Sequence, residues 1–147
     1  MLDSNSLTKS DIEKVTPFLI KPNEREVSEL CGRKVSSVDD AKAAAEELYS
    51  LGAENVTVSL GELGAVLVCR DGAYYVGAPK TEVVSTIGAG DASVAGFIYA
   101  FVNGKSNGEA LRYAVAFGTA TCLTSGTKPP VKKDIESFLS KCRLKKI

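Results

Sequence analysis

The sequence predicts an α/β protein with a mostly parallel sheet covered by helices on both faces. Three observations carry that expectation. Short apolar runs ending in glycine or proline alternate with stretches of helical periodicity. Two of those stretches, near 91–103 and 106–123, are apolar almost all the way round, which suits helices packed in a core. The run "AVLVCR-DG-AYYVGA" adds a β-hairpin, two strands joined by an Asp-Gly turn.

In chain order, "FLIKPN" reads as a buried strand stopped by its proline. "NEREVSELCG" follows as a short helix, with Asn23 as N-cap, Val27 and Leu30 facing inward and Gly32 just past its end. In "DDAKAAAEELYSLGA", Ala41, Ala44, Ala45, Leu48 and Leu51 recur at helical spacing until Gly52. "NVTVSLG" is a strand ending in glycine, and the hairpin comes next. After "EVVST" the chain is helical from about Asp91 to Asn103. "SNGEALRYAVAFGTATCL" opens with a capping box, Ser106 with Glu109. "KKDIESFLSKC" is a last amphipathic helix capped by Asp134, and "KCRLKKI" reads as a solvated basic tail. Few strands are available to cover so much apolar helix, so the sequence reads as part of something larger.

The 147 residues suit one domain, 1–147, with a proper core. Eighteen basic residues balance eighteen acidic ones, so no global field draws the chain to nucleic acid or to an anionic membrane. The apolar run Val94–Val102 is too short to span a bilayer, which needs about 20 residues. Cys31, Cys69, Cys122 and Cys142 are scattered without a C-x-x-C pair, as expected of reduced thiols in a cytoplasmic protein. The chain has no histidine, which removes Ser-His and Cys-His nucleophiles and leaves acid–base chemistry to carboxylates, lysines or tyrosines.

Familiar nucleotide motifs fail. "GKS" at 104–106 needs a glycine five places earlier, where Tyr99 stands. "SLGELGA" lacks the G-x-G-x-x-G spacing, and a strand follows it where a dinucleotide fold needs a helix. "IGAGDASVAGF" is different. Gly88, Ala89 and Gly90 let a ligand approach the backbone, and the amides and dipole of the following helix would hold an anion such as a migrating phosphoryl group. Asp91 beside them is either a helix cap or a base for an attacking hydroxyl. Asn23 and Glu26, spaced N-x-x-E, are either a capping box or a group that orders water around magnesium.

Taken together, "FLIKPNEREVSELCGR", "NVTVSLGELGAVLV" and "VSTIGAGDASVAGFIYA" resemble, in order and spacing, the PfkB (ribokinase-like) carbohydrate kinase family. "LDSNSL" resembles the segment where a central strand in the same family ends and its helix begins. The resemblance covers nearly the whole chain but only the C-terminal half of family members, and within the family it is strongest to kinases of fructose 1-phosphate and tagatose 6-phosphate. It implies a three-layer α/β/α fold and ATP-dependent phosphorylation of a sugar phosphate. It implies that Asp91 is the catalytic base and that Gly88, Ala89 and Gly90 form its anion hole. Ser59, Leu60, Gly61, Glu62, Leu63 and Gly64 would wrap the nucleotide, which Gly90 and Asp91 also touch. Adenine would rest near Val115 and Gly118, and Asn23 and Glu26 would act on Mg2+ through water. Ser85 stands where many relatives carry Asp or Asn. The missing half carries most sugar contacts, so the resemblance implies that the isolated chain is inactive and associates through its uncovered face, with itself or with a partner. The competing expectations are a non-catalytic ATP-binding fragment or remnant, and a kinase of another ribokinase-like substrate class.

Overall fold

The computed structural model describes residues 7–124 and 129–147, so most of "LDSNSL" lies outside the described residues. The elements are α1 (Lys9–Val15), α2 (Glu24–Cys31), α3 (Val38–Ser50), β1 (Asn55–Ser59), a 3-10 turn (Gly61–Leu63), β2 (Ala65–Cys69) and β3 (Gly72–Val76). They continue as α4 (Ala89–Val102), α5 (Asn107–Thr121), α6 (Lys132–Leu139) and β4 (Leu144–Lys146). The chain divides into two compact units, Met1–Tyr75 with Lys146–Ile147, and Val76–Lys145.

The strands lie in the order β1-β2-β3-β4, with β1 and β2 wholly in the first unit. β1 and β2 pair antiparallel, Val56 opposite Val68 and Ser59 opposite Ala65. Among the described residues, the parallel pairing expected of the sheet is confined to two isolated bridges, Ile20 to Val56 and Asn23 to Ser59. "FLIKPN" therefore runs beside β1 without becoming a full strand. Its proline has no N–H to give a ladder, although the Pro22 carbonyl still accepts from Ser59 N–H at 3.2 Å.

α3 packs Ala41, Ala44, Ala45 and Leu48 into one cluster with Val56 and Val58 of β1 and Val66 and Val68 of β2. Alternation along the strands sends Thr57 and Leu67 to the opposite face, and they too are buried. Both faces of the β1–β2 pair are thus removed from water, as their unbroken apolar runs require. Glu47 of α3 ties neighbouring segments to this frame. Its two oxygens accept from Lys9 Nζ of α1 and, at 2.7 Å, from Arg33 Nη1 after α2. Those hydrogen bonds, Lys9 first, hold the Glu47 carboxyl below the usual glutamate range.

The helix implied by the resemblance of "LDSNSL" is present as α1, whereas the strand at the basic end was not expected. α1 is opened by a capping box in which Thr8 and Asp11 exchange hydrogen bonds. The basic end is not a free tail: Leu144–Lys146 form β4, and Ile147 N–H donates to the Ala73 carbonyl at 2.9 Å. Edge pairing with β3 gives those backbone groups partners that solvent would otherwise supply.

In the second unit, α4 and α5 pack together through glycine. A Cβ on Gly96 would stand 2.6 Å from the Tyr113 carbonyl oxygen. α5 buries Ala110, Leu111, Ala114, Val115, Ala116 and Gly118, among others. α4 buries only Gly96, Phe97 and Ala100, and exposes Ile98, Tyr99, Phe101 and Val102. The expectation of a helix buried all round therefore holds for α5 better than for α4. Tyr99 is partly sheltered by the rings of Tyr113 and Phe117, 5.9 and 6.0 Å away.

Ser106 caps α5, accepting from Glu109 N–H at 3.2 Å. The return half of the expected capping box is not made, because Glu109 Oε2 accepts from Arg112 Nη1 at 2.7 Å instead. Arg112 also donates to the carbonyls of Cys142 and Leu139, at 2.8 and 2.6 Å, and so fixes the end of α6. Val131 is the N-cap of α6. Asp134 lies in its first turn rather than capping it.

Candidate active site

The N-x-x-E segment makes a complete capping box. Asn23 Oδ1 accepts from Glu26 N–H at 2.8 Å, and Glu26 Oε1 accepts from Asn23 N–H at 3.0 Å. The bland reading of these residues is thus fulfilled, but it uses one carboxylate oxygen. No hydrogen bond engages Glu26 Oε2 among the described residues. The bridge from Asn23 to Ser59 brings this box to the end of β1, where the 59–64 loop begins.

That loop is a closed turn. Leu60 N–H donates to the Gly64 carbonyl at 2.8 Å, and Gly64 N–H to the Gly61 carbonyl at 3.1 Å. Gly61 and Gly64 have φ of 57 and 99, a left-handed backbone that side chains disfavour. Tyr75 Oη donates to the Leu63 carbonyl and braces the tip from β3. Leu60 is anchored in the core, while Gly61, Glu62 and Leu63 face solvent. The structure therefore brings together Asn23, Glu26 and residues 59–64.

The 88–91 turn belongs to the second unit. Gly88, with φ 81, is the N-cap of α4. Asp91 is therefore not the cap; it sits in the first turn, and this removes the simpler of its two sequence readings. Ala89 N–H donates to the Thr86 carbonyl at 3.2 Å, and Ala92 N–H to the Gly88 carbonyl at 2.9 Å. Among the described residues, the N–H groups of Gly88, Gly90 and Asp91 have no acceptor. Gly88, Gly90 and Asp91 are exposed, and no hydrogen bond or ion pair engages the Asp91 carboxylate among the described residues. Helix-start amides without an acceptor among the described residues are donors of the kind that anions take, and here a carboxylate stands beside them. Sequence reasoning missed that the Ala89 N–H is already used and that the Asp91 N–H has no acceptor among the described residues, a pattern that accompanies the left-handed Gly88.

Val115 and Gly118 are buried in α5, and α4 fills the space beside Gly118. A Cβ there would clash with Ser93 Oγ and stand 3.4 Å from the Ala89 carbonyl oxygen. Gly118 thus lies directly under the 88–91 turn.

A magnesium ion bound with phosphates keeps several waters and needs only one or two protein carboxylates. Glu26 fits such a role through its unused oxygen. No group of three or more Cys, Asp or Glu side chains could hold a metal directly among the described residues. No helix among them is long and apolar enough to cross a membrane.

Residues 1–134 match the model of the pfkB family carbohydrate kinases. The chain belongs to this family. Among curated pfkB relatives, it is 37% identical over 124 residues to the 1-phosphofructokinase of Borreliella burgdorferi, covering 84% of this chain and 40% of that one. It is 41% identical over 118 residues to the 1-phosphofructokinase of Haloferax volcanii, covering 80% of this chain and 39% of the other. Among solved structures, phosphofructokinase-2 from Escherichia coli, in complex with substrates and products, superposes with a TM-score of 0.84 at 32% identity. That match covers 95% of this chain and 45% of the other. Ribokinase from Arabidopsis thaliana, complexed with ribose and ATP, gives a TM-score of 0.75 at 30% identity over 86% of this chain and 43% of that one. The pfkB chain described here therefore spans less than half the length of these relatives, and its fold is ribokinase-like.

Proposed function

We propose that this pfkB chain carries the ATP site and catalytic base of a sugar-phosphate kinase of the 1-phosphofructokinase type. The observation that carries the reading is the 88–91 turn, where three amides and one carboxylate, all without a partner among the described residues, meet at a helix start. In phosphoryl transfer the transition state is loose, so positioning and charge stabilisation dominate. The amides of Gly88, Gly90 and Asp91 hold the oxygens of the migrating group. The Asp91 carboxylate accepts the proton of the attacking sugar hydroxyl. Residues 59–64 wrap the nucleotide, and adenine rests along the α5 face at Val115 and Gly118. Magnesium, when bound with the phosphates, neutralises their charge, and Glu26 orients its water while Asn23 fixes Glu26.

The same reading places the two parallel bridges at Ile20 and Asn23 at the start of a larger parallel sheet in a three-layer fold. It places the sugar contacts in a portion that the relatives have and this chain does not span, and the protein in the cytoplasm. The exposed apolar face of α4 supports association, with a second copy or with the sugar-binding portion. One neighbour, phosphofructokinase-2 from Escherichia coli, is described in a tetrameric inhibited form.

The reading is tested by ADP release from MgATP in the presence of fructose 1-phosphate or tagatose 6-phosphate. The chain alone is expected to bind MgATP weakly and release no sugar-dependent ADP. Joined to the sugar-binding portion of a relative, it is expected to turn over with fructose 1-phosphate. Absence of any nucleotide binding by the chain would overturn the proposal. A second reading is a non-catalytic nucleotide-binding module, and persistent nucleotide binding without restored turnover would select it.

A further inference from the structure

We propose that the C-terminal half of α5 is the positioning element of the 88–91 turn, with Gly118 setting the height of that turn above the helix. The inference rests on the reading of the turn as an anion site. The amides of Gly88, Gly90 and Asp91 bond to nothing among the described residues, so their direction is set by what holds the backbone from below. Among the described residues, the short-range bonds that do this are Ile87 N–H to Ser85 Oγ at 3.1 Å, Ala89 N–H to the Thr86 carbonyl at 3.2 Å and Ala92 N–H to the Gly88 carbonyl at 2.9 Å.

Three residues within about one turn of α5 supply the rest. The Cys122 carbonyl accepts from both Val84 N–H at 2.8 Å and Ser85 N–H at 3.2 Å, fastening the approach to the turn. Thr121 Cγ2 would touch a Cβ on Gly88 at 3.9 Å, an ordinary contact distance, so its methyl group lies against the N-cap. Thr121 is itself fixed, being 3% exposed and donating to the Phe117 carbonyl at 3.0 Å. Gly118 completes the seat: a Cβ there would fall on Ser93 Oγ and would stand 3.4 Å from the Ala89 carbonyl oxygen, so Ser93 and the first turn of α4 rest on this glycine. The absence of a side chain at Gly118 therefore has a use that does not depend on adenine. Amides that stabilise a developing oxyanion must lie about 2.7–3.1 Å from it, so a small lift of the first turn of α4 misplaces all three at once.

The test uses the full chain, labelled for amide NMR, with tripolyphosphate as the probe. Two quantities are read: the affinity reported by the Gly88, Gly90 and Asp91 signals, and the hydrogen exchange of the Val84 and Ser85 amides. Gly118→Ala is expected to weaken tripolyphosphate about tenfold and to speed exchange at Val84 and Ser85 by a similar factor. Exchange in β1 should not change, which separates a shifted turn from general loosening. Adding Ser93→Ala removes the atom that the new methyl meets, and is expected to restore both readings to within about twofold of the unaltered chain. The proposal is overturned if Gly118→Ala moves neither reading, or if Ser93→Ala restores neither. If the unaltered chain shows no tripolyphosphate response at these amides, the anion-site reading falls, while the exchange measurements still decide whether α5 holds the turn.

Discussion

Gly96→Ala sets two effects of known size against each other. Gly96 lies inside α4, where alanine is favoured over glycine by about 1 kcal/mol on helix propensity alone. The packing opposes this. A Cβ at 96 would stand 2.6 Å from the Tyr113 carbonyl oxygen and 2.7 and 2.9 Å from Phe117 Cγ and Cβ. Carbon contacts are comfortable at about 3.5–4.0 Å, so the shortfall is on the order of 1 Å on three atoms at once. Overpacking of this kind costs about 1–3 kcal/mol. The nearest atom belongs to the α5 backbone and cannot rotate aside, which puts the cost at the upper end of that range. The net expectation is a loss of about 1–2 kcal/mol, or several degrees in melting temperature for a chain of this size. Urea and thermal unfolding followed by circular dichroism measure it. Ala95→Gly, at an exposed α4 position, calibrates propensity in the same helix. If Gly96→Ala raised stability by the amount that propensity alone gives, the close α4–α5 packing described above would be refuted.

Other outcomes follow from the same contacts. Glu26→Gln keeps the capping geometry, so melting should barely move, while the magnesium needed for ATP binding by the chain should rise; an unchanged magnesium titration would contradict the role given to Glu26. Glu47 is held below the usual glutamate range by Lys9 and Arg33, so its contribution is complete above the unfolded pKa and is lost as pH falls through the lowered folded one. Glu47→Gln should therefore flatten the fall of melting temperature on acidification, and an unaltered acid limb would contradict the clamp. Burial pushes the Cys142 thiol up to about 11, with Arg112 opposing, so the thiol stays protonated at pH 8. In alkylation of the native chain it should react after the half-buried Cys31 and Cys122, and denaturation should remove that order.

What was legible in the sequence was local. α2 could be read to the residue because Asn23, Glu26 and Gly32 are its own end signals, and α3 because its alanines mark the face that meets the sheet. For α1 the resemblance at "LDSNSL" implied a helix, but its extent was hidden, since Thr8 and Asp11 open only seven residues, of which Ile12 alone is buried. Its anchor, the Lys9–Glu47 pair, spans 38 positions that no local pattern connects. β4 was hidden for the same reason, since its pairing partner is distant and its lysines read as solvent-loving. The composition of α4 showed that it is apolar but not which face is covered, because that depends on neighbours rather than on the helix itself. At the candidate site, the glycines and Asp91 were visible as residue types. The left-handed backbone at Gly88 was not, and it decides which amides are free and that Asp91 is no cap.

The central claim is that Asp91 takes the proton of the sugar hydroxyl while the turn beside it holds the phosphoryl group. Its most direct test is the turnover of Asp91→Asn in this chain joined to the sugar-binding portion of a relative, assayed with MgATP and fructose 1-phosphate. Because Gly88 is the cap, the substitution should cost stability no more than a first-turn carboxylate contributes, under about 1 kcal/mol, and MgATP affinity should change little. Turnover should fall by a factor on the order of a hundred or more. Near-normal turnover with Asn at this position would contradict the account.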